Sequence, residues 1–196
     1  QACLDQIFSG KLATCMVNPR AVNETIINYT PVTVRKRISV VGAGPAGLAA
    51  ATVCAQRGHA VTLFESSAEI GGQFTLAREV PGKQEYQRTI DYYATMMAKF
   101  GVELKLKTPL SADKTDWHSM AQNFDEIIIS TGVRPRQPAI PGVEKSLVKN
   151  YVEVLSGRAA VGKKIVIIGA GGIGFDVATY VFGSDLQEPE KWLAYW

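Results

Sequence analysis

A chain of 196 residues with 46% hydrophobic and 20% charged side chains has room for one substantial core or two small ones and the balance of an ordinary globular protein. Twenty-one basic against 18 acidic residues leave a net charge of +3, too mild for a nucleic-acid partner, and no basic stretch is interleaved with aromatics. No apolar run approaches the roughly 18 residues that span a bilayer and no signal peptide is visible, so the expectation is a cytoplasmic protein without a membrane anchor.

In chain order, residues 1–34 read as an irregular arm with little periodicity. The arm holds Cys3 and Cys15, with eleven residues between them; taken alone, the pair suits a disulfide or two free thiols better than a metal site. The next segment, 37–41, is a compact apolar run that stops at Gly42 and reads as a buried parallel strand. A helix is expected from Pro45 to Arg57, ending at Gly58, and a second strand over 60–64. Cys54 falls inside that helix as a small apolar residue. Strand, turn, helix and strand in about 30 residues make a βαβ unit.

A helix is expected over 85–100, with Ile90, Tyr93, Met97 and Phe100 on one core-facing stripe, then an alternating strand over 102–107. Residues 111–123 read as a polar stretch in which His118 is a solvated loop residue, and 126–130 as a buried strand ending in Thr131 and Gly132. Three prolines in 135–142 mark a stiff connection. Beyond it, 164–168 repeats the buried strand, 169–174 the glycine turn and 175–182 the helix. The fold class is therefore α/β, Rossmann-like, with three parts: the arm (1–34), a first nucleotide-binding domain (35–142), and the start of a second (143–196). The chain begins at Gln1 without a methionine and ends soon after the second turn, so it reads as a piece of a larger polypeptide.

The first turn is Gly42-Ala43-Gly44-Pro45-Ala46-Gly47. Its first glycine makes the turn off the strand, its second lets a pyrophosphate approach the backbone, and its third lets the helix pack on the sheet. The free N–H groups and dipole of the helix start favour the diphosphate. Glu65 ends the second strand 18 positions beyond Gly47, where a carboxylate accepts ribose hydroxyls. Gly72 and Gln73 shortly after it, and the Ser130-Thr131-Gly132 close, favour FAD over NAD; Gly132 is otherwise a simple strand-end turn. Gly169, Gly171, Gly172 and Gly174 form the second fingerprint, which after an FAD site implies hydride transfer from a nicotinamide, NADP(H) or NAD(H). Asp176 either faces the bound rings or complements the helix dipole.

With these pieces in order, the chain resembles the C-terminal half of the bacterial NADPH-dependent 2,4-dienoyl-CoA reductase family, related to trimethylamine dehydrogenase and 2-enoate reductase. The resemblance rests on QACLDQIF, CMVNPR, VVGAGPAGLA, VTLFE, EIGGQF, PGK, STGVRPR and IIGAGGIGFD. It implies that Cys3 and Cys15 are the third and fourth ligands of a [4Fe–4S] cluster whose first two lie upstream, and that Gln1 lies near the FMN of an N-terminal (β/α)8 barrel. It implies FAD contacts at Ala46, Glu65, Gln73, Lys83 and Leu110; without it, Lys83 reads as a loop lysine and Leu110 as core. The implied relay runs from NADPH through FAD, cluster and FMN to an unsaturated acyl-CoA, with no catalytic proton donor in this chain. Alternatives are a related enoate reductase or another barrel-fused reductase, and a non-catalytic electron-transfer module like the glutamate synthase small subunit.

Overall fold

The computed structural model describes residues 2–15, 17–111 and 114–183. Its elements in chain order are α1 (Ala2–Phe8), β1 (Arg37–Val41), α2 (Pro45–Gln56), β2 (Ala60–Phe64), α3 (Gln73–Ala77), α4 (Tyr86–Phe100), β3 (Glu103–Lys105), α5 (Lys114–Asn123), β4 (Glu126–Ile129), α6 (Tyr151–Leu155) and α7 (Gly172–Phe182). The four strands form one parallel sheet in the order β3-β2-β1-β4. Ile38 stands opposite both Val61 and Glu126, and Thr62 opposite Glu103. Parallel neighbours require crossovers, and α2 supplies the one between β1 and β2.

Side chains on a strand alternate between faces, and the two faces have separate apolar cores. Ile38, Val40, Val61 and Leu63 pack with Leu48, Ala51 and Ala55 of α2 and Met97 of α4. Val41 and Phe64, at the strand ends, pack with Met120 of α5, with Trp117, Phe124 and Leu110 around them. The ring of Phe124 meets Phe64 edge-on, with centroids 5.9 Å apart.

The expected first βαβ unit is present within a residue, and α4 buries Ile90 and Met97 as its stripe requires. Five expectations change. The strand expected over 102–107 shortens to β3, whose residues are all exposed, and the strand expected to be buried over 126–130 is the edge strand β4, with Ile129 63% exposed. Residues 114–123 are helical rather than a loop: Trp117 and Met120 lie three apart and reach under the sheet, a stripe short enough to be hidden by its polar neighbours. His118 remains exposed, on that helix. The arm is irregular except for α1. Residues 164–168 do not form a strand: among the described residues no strand pairs with them, and Val166 and Ile168 are 88% and 74% exposed. An apolar run becomes a strand only when another backbone takes up its N–H and C=O groups.

Candidate functional site

The first glycine turn is shaped by close backbone approach on three sides. Gly42 has φ +102°, and a Cβ there would stand 2.4 Å from the Ser130 carbonyl oxygen. The Ser130 hydroxyl donates to the carbonyls of Val41 (2.9 Å) and Gly42 (3.0 Å), tying the end of β4 to the turn. A Cβ on Gly47 would lie 1.8 Å from the Gly42 oxygen, so α2 can seat against the turn only without one. Gly71 donates its N–H to the Ala43 carbonyl at 2.8 Å. A Cβ on Gly72 would come within 2.8 Å of the Gly44 Cα. The turn after β1 and the loop after β2 are thereby clasped together.

Gly44 differs from its neighbours. Its φ and ψ are −74° and 178°, open to any residue, and a Cβ there would touch only Gly72 Cα, at an ordinary 3.9 Å. The fold itself does not demand glycine there. What its absence of a side chain does is bare the start of α2, where Gly44 makes no side-chain cap, Pro45 has no N–H and the first turn carries no acidic residue. The amides of Ala46 and Gly47 make no hydrogen bond among the described residues, and Ala46 is exposed. Free amide donors, a helix dipole and room above them together receive an anion such as a diphosphate.

Glu65, directly after β2, faces the same turn. One carboxylate oxygen (Oε2) accepts from the Ala43 N–H at 2.7 Å. The other accepts from the Ser67 N–H (2.8 Å), the Ser67 hydroxyl (2.9 Å) and the Ser66 hydroxyl (3.1 Å). Burial pushes the carboxyl upward, but the backbone donors of Ser67 and Ala43 and the two hydroxyls outweigh it and hold Glu65 below the usual glutamate range. The group is an anchored carboxylate, with a lone pair still free on Oε2 for a ribose hydroxyl. Those residues fit the adenosine-diphosphate portion of a dinucleotide: donors for the diphosphate and an ionised acceptor for the sugar.

Gln73 opens α3 beside Gly72, and its Oε1 accepts from the Tyr151 hydroxyl at 3.2 Å. Lys83 is paired with Asp176, Nζ to Oδ1 at 2.6 Å. Asp176 is the fifth residue of α7, beyond its first turn, so its partner is a lysine rather than the helix end. Leu110 lies at the border of the smaller apolar core. Thr131 and Gly132 are exposed just past β4. Ser66, Ser67 and Tyr151 join the site without a motif of their own; two hydroxyls directly after the strand-end acid are the available signal for the serines, and nothing in the sequence marks the tyrosine.

The second turn repeats the first locally. Gly169 has φ +114°, Gly171 caps α7 with φ −85° and ψ 179°, Gly172 begins the helix, and a Cβ on Gly174 would lie 2.3 Å from the Gly169 oxygen. The Phe175 N–H bonds the Gly171 carbonyl at 3.1 Å, as the Leu48 N–H bonds that of Gly44 at 2.9 Å.

Cys15 is a half-buried free thiol, and Cys3 lies in α1, where its side chain is outside the described residues. Among the described residues no three His, Cys, Asp or Glu side chains gather for a metal, and two thiolates cannot fill a four-thiolate centre. The chain has three cysteines, one fewer than a four-thiolate centre takes. Gln1 lies outside the described residues. No helix among them is long and apolar enough to cross a membrane.

Residues 36–187 match the family model described as pyridine nucleotide-disulphide oxidoreductase. The chain is 36% identical over 190 residues to a metal reductase of Desulforamulus reducens, covering 97% of this chain and 28% of the relative. It is 34% identical to an NADH oxidase of Thermoanaerobacter brockii, covering 90% of this chain and 27% of that protein. A solved 2-naphthoyl-CoA reductase in complex with 2-naphthoyl-CoA superposes with a TM-score of 0.85 at 38% identity, over 92% of this chain and 27% of that one. The chain thus spans little more than a quarter of each of these relatives.

Proposed function

The chain belongs to the pyridine nucleotide-disulphide oxidoreductase family, and from that premise we propose that it is the electron-input part of a larger cytoplasmic enzyme that reduces an unsaturated acyl-CoA at the expense of NADPH. The family and the fold make it a flavin and NAD(P)H oxidoreductase module. The single observation that carries the dinucleotide site is the bared start of α2, where Gly44 keeps a side chain away although nothing among the described residues would collide with one.

In this reading Gly42, Gly44, Pro45, Ala46 and Gly47 receive the diphosphate of FAD, Glu65 its ribose, and Gly72, Gln73, Lys83, Leu110, Thr131 and Gly132 line the rest. Gly169, Gly171, Gly172 and Gly174 receive the diphosphate of NADPH. When bound, FAD accepts two electrons together and releases them singly, the conversion that a one-electron centre downstream requires. The residues of this chain bind, orient and neutralise; none moves a proton to the substrate. Cys3 and Cys15 would contribute two ligands to a [4Fe–4S] cluster completed by a preceding FMN-bearing (β/α)8 barrel of the same polypeptide.

The substrate assignment is supported by the family resemblance to 2,4-dienoyl-CoA reductases and by the similarity to a 2-naphthoyl-CoA reductase, whose name also denotes reduction of a conjugated acyl-CoA. The test is cofactor analysis of the full-length protein, followed by anaerobic NADPH addition with a dienoyl-CoA. FAD and FMN in equal amounts, iron and sulfide, and dienoyl-CoA-dependent NADPH oxidation are expected. FMN without FAD would sink the electron-input role, and NADPH oxidation indifferent to every unsaturated acyl-CoA would sink the substrate class.

A further inference from the structure

Two side-chain contacts join the helices of the second unit to α3 and the turn that follows it. Asp176 of α7 accepts from Lys83 at 2.6 Å, and Tyr151, the first residue of α6, donates to Gln73 at 3.2 Å. The two contacts come from two helices that pack on each other, one onto the start of α3 and one onto the turn between α3 and α4.

Asp176 stands in an electrostatically awkward position. Counted from Gly172 it is about 6 Å along the axis of α7 at 1.5 Å per residue. That is within the roughly 8 Å Debye length at physiological ionic strength. A bare carboxylate there repels any anion received by the N-terminal amides of α7. The side chains of the pair are 38% and 28% exposed, so the contact contributes little to fold stability. Its main effect is on local charge, which it brings to zero.

We propose that Lys83, reaching across from the first nucleotide site, neutralises Asp176 and thereby sets the affinity of the second site for its anionic nicotinamide dinucleotide. Lys83 then acts on the second site through Asp176, and the two nucleotide sites share one cation. The inference rests on the two-nucleotide reading above. It yields a sign pattern that a purely structural role does not produce: the charge of the pair is −1 in Lys83→Met, zero in the natural protein and in the double variant Lys83→Met/Asp176→Asn, and +1 in Asp176→Asn.

The test uses the FAD-loaded full-length protein and oxidised NADP+, whose equilibrium affinity is measured by calorimetry without turnover, with flavin content read from the absorption spectrum. Lys83→Met should bind NADP+ about fivefold more weakly, within the range of coupling between sites. Asp176→Asn should bind more tightly than the natural protein, and the double variant should return to within about twofold of it. The differences should shrink as salt is raised, as screening requires. If Lys83→Met sheds FAD, Asp176→Asn, which keeps the cation, decides alone. Unchanged or weaker NADP+ binding by Asp176→Asn overturns the proposal, as does a double variant no tighter than Lys83→Met. A natural protein that holds no FAD or does not bind NADP+ fails the two-nucleotide reading itself, and that outcome is visible before any variant is compared.

Discussion

At Gly42 and at Gly169 the backbone takes the same left-handed turn, with φ of +102° and +114°, and five positions later a glycine lies against the carbonyl of the first. The surroundings differ. Gly42 follows a strand paired on both sides, and the Ser130 carbonyl just past β4 stands close to it; Gly169 follows an exposed run that no strand pairs with among the described residues, and a Cβ there would meet nothing within 4 Å. The pair teaches that the turn and cap are local chemistry, written in six residues, whereas the strand before them depends on backbone supplied from elsewhere. Clasping is also unequal: the first turn is held by Gly71, Glu65 and Ser130, and no corresponding bonds reach the second among the described residues.

Alanine at the first glycine of each turn should separate the two turns most widely. Gly42→Ala adds a Cβ 2.4 Å from the Ser130 oxygen on top of the left-handed backbone, so the β1–β4 junction must shift. Overpacking of this kind costs about 3 kcal/mol. Gly169→Ala meets no neighbour and bears only the backbone strain, about 1–2 kcal/mol. Urea unfolding of the two full-length variants measures both. Equal losses would mean that the second turn is as tightly enclosed as the first.

That contrast also explains what could be read from residues alone. The first βαβ unit was legible because every signal in it is short-range: the apolar run 37–41, the glycines, Pro45 at the helix start and the acid 18 positions on. The strand expected over 164–168 was not realised because the same apolar pattern carries no information about whether a partner is at hand. Helix α5 was missed because its apolar side chains, Trp117 and Met120, are few among polar ones and become a stripe only under Val41 and Phe64. At the site, the glycines and Glu65 were readable. The ties between Lys83 and Asp176 and between Gln73 and Tyr151 were not, since each spans more than 70 residues and joins polar groups with no pattern of their own.

A smaller change separates binding from folding within the first turn. Gly44→Ala places its Cβ at an ordinary 3.9 Å from Gly72, so unfolding should be within about 0.5 kcal/mol of the natural protein, as for a surface substitution. Yet a side chain at the second glycine of the turn hinders the close approach of a pyrophosphate to the backbone, and FAD content after purification should fall sharply. A variant that keeps its FAD would show that the diphosphate lies elsewhere. Glu65→Ala removes an ionised acceptor from the ribose side. Hydrogen bonds to charged groups contribute about 1.5–3 kcal/mol, so the FAD dissociation constant should rise roughly 10- to 100-fold. Flavin released on dilution into gel filtration reports it, and retention equal to the natural protein would remove Glu65 from the site.

A pH dependence confined to the first turn should be slighter still. Glu65 has a carboxyl lowered in the folded state, despite burial, by the Ser67 and Ala43 N–H groups and the Ser66 and Ser67 hydroxyls. A lowered folded-state value means that its contribution is complete above the unfolded value of about 4.3 and is lost as pH falls through the folded one. Between neutral pH and pH about 4 the natural protein should therefore change little through this group, and below that it should lose stability that Glu65→Gln, which does not titrate, has already lost. The Ala43 amide, bonded to the carboxylate at 2.7 Å, offers a local readout: its hydrogen exchange, corrected for intrinsic pH dependence, should gain on that of Phe175 only in the acid range. Parallel loss of protection at both turns would place the acid sensitivity in the fold as a whole rather than in the carboxylate that holds the first turn closed.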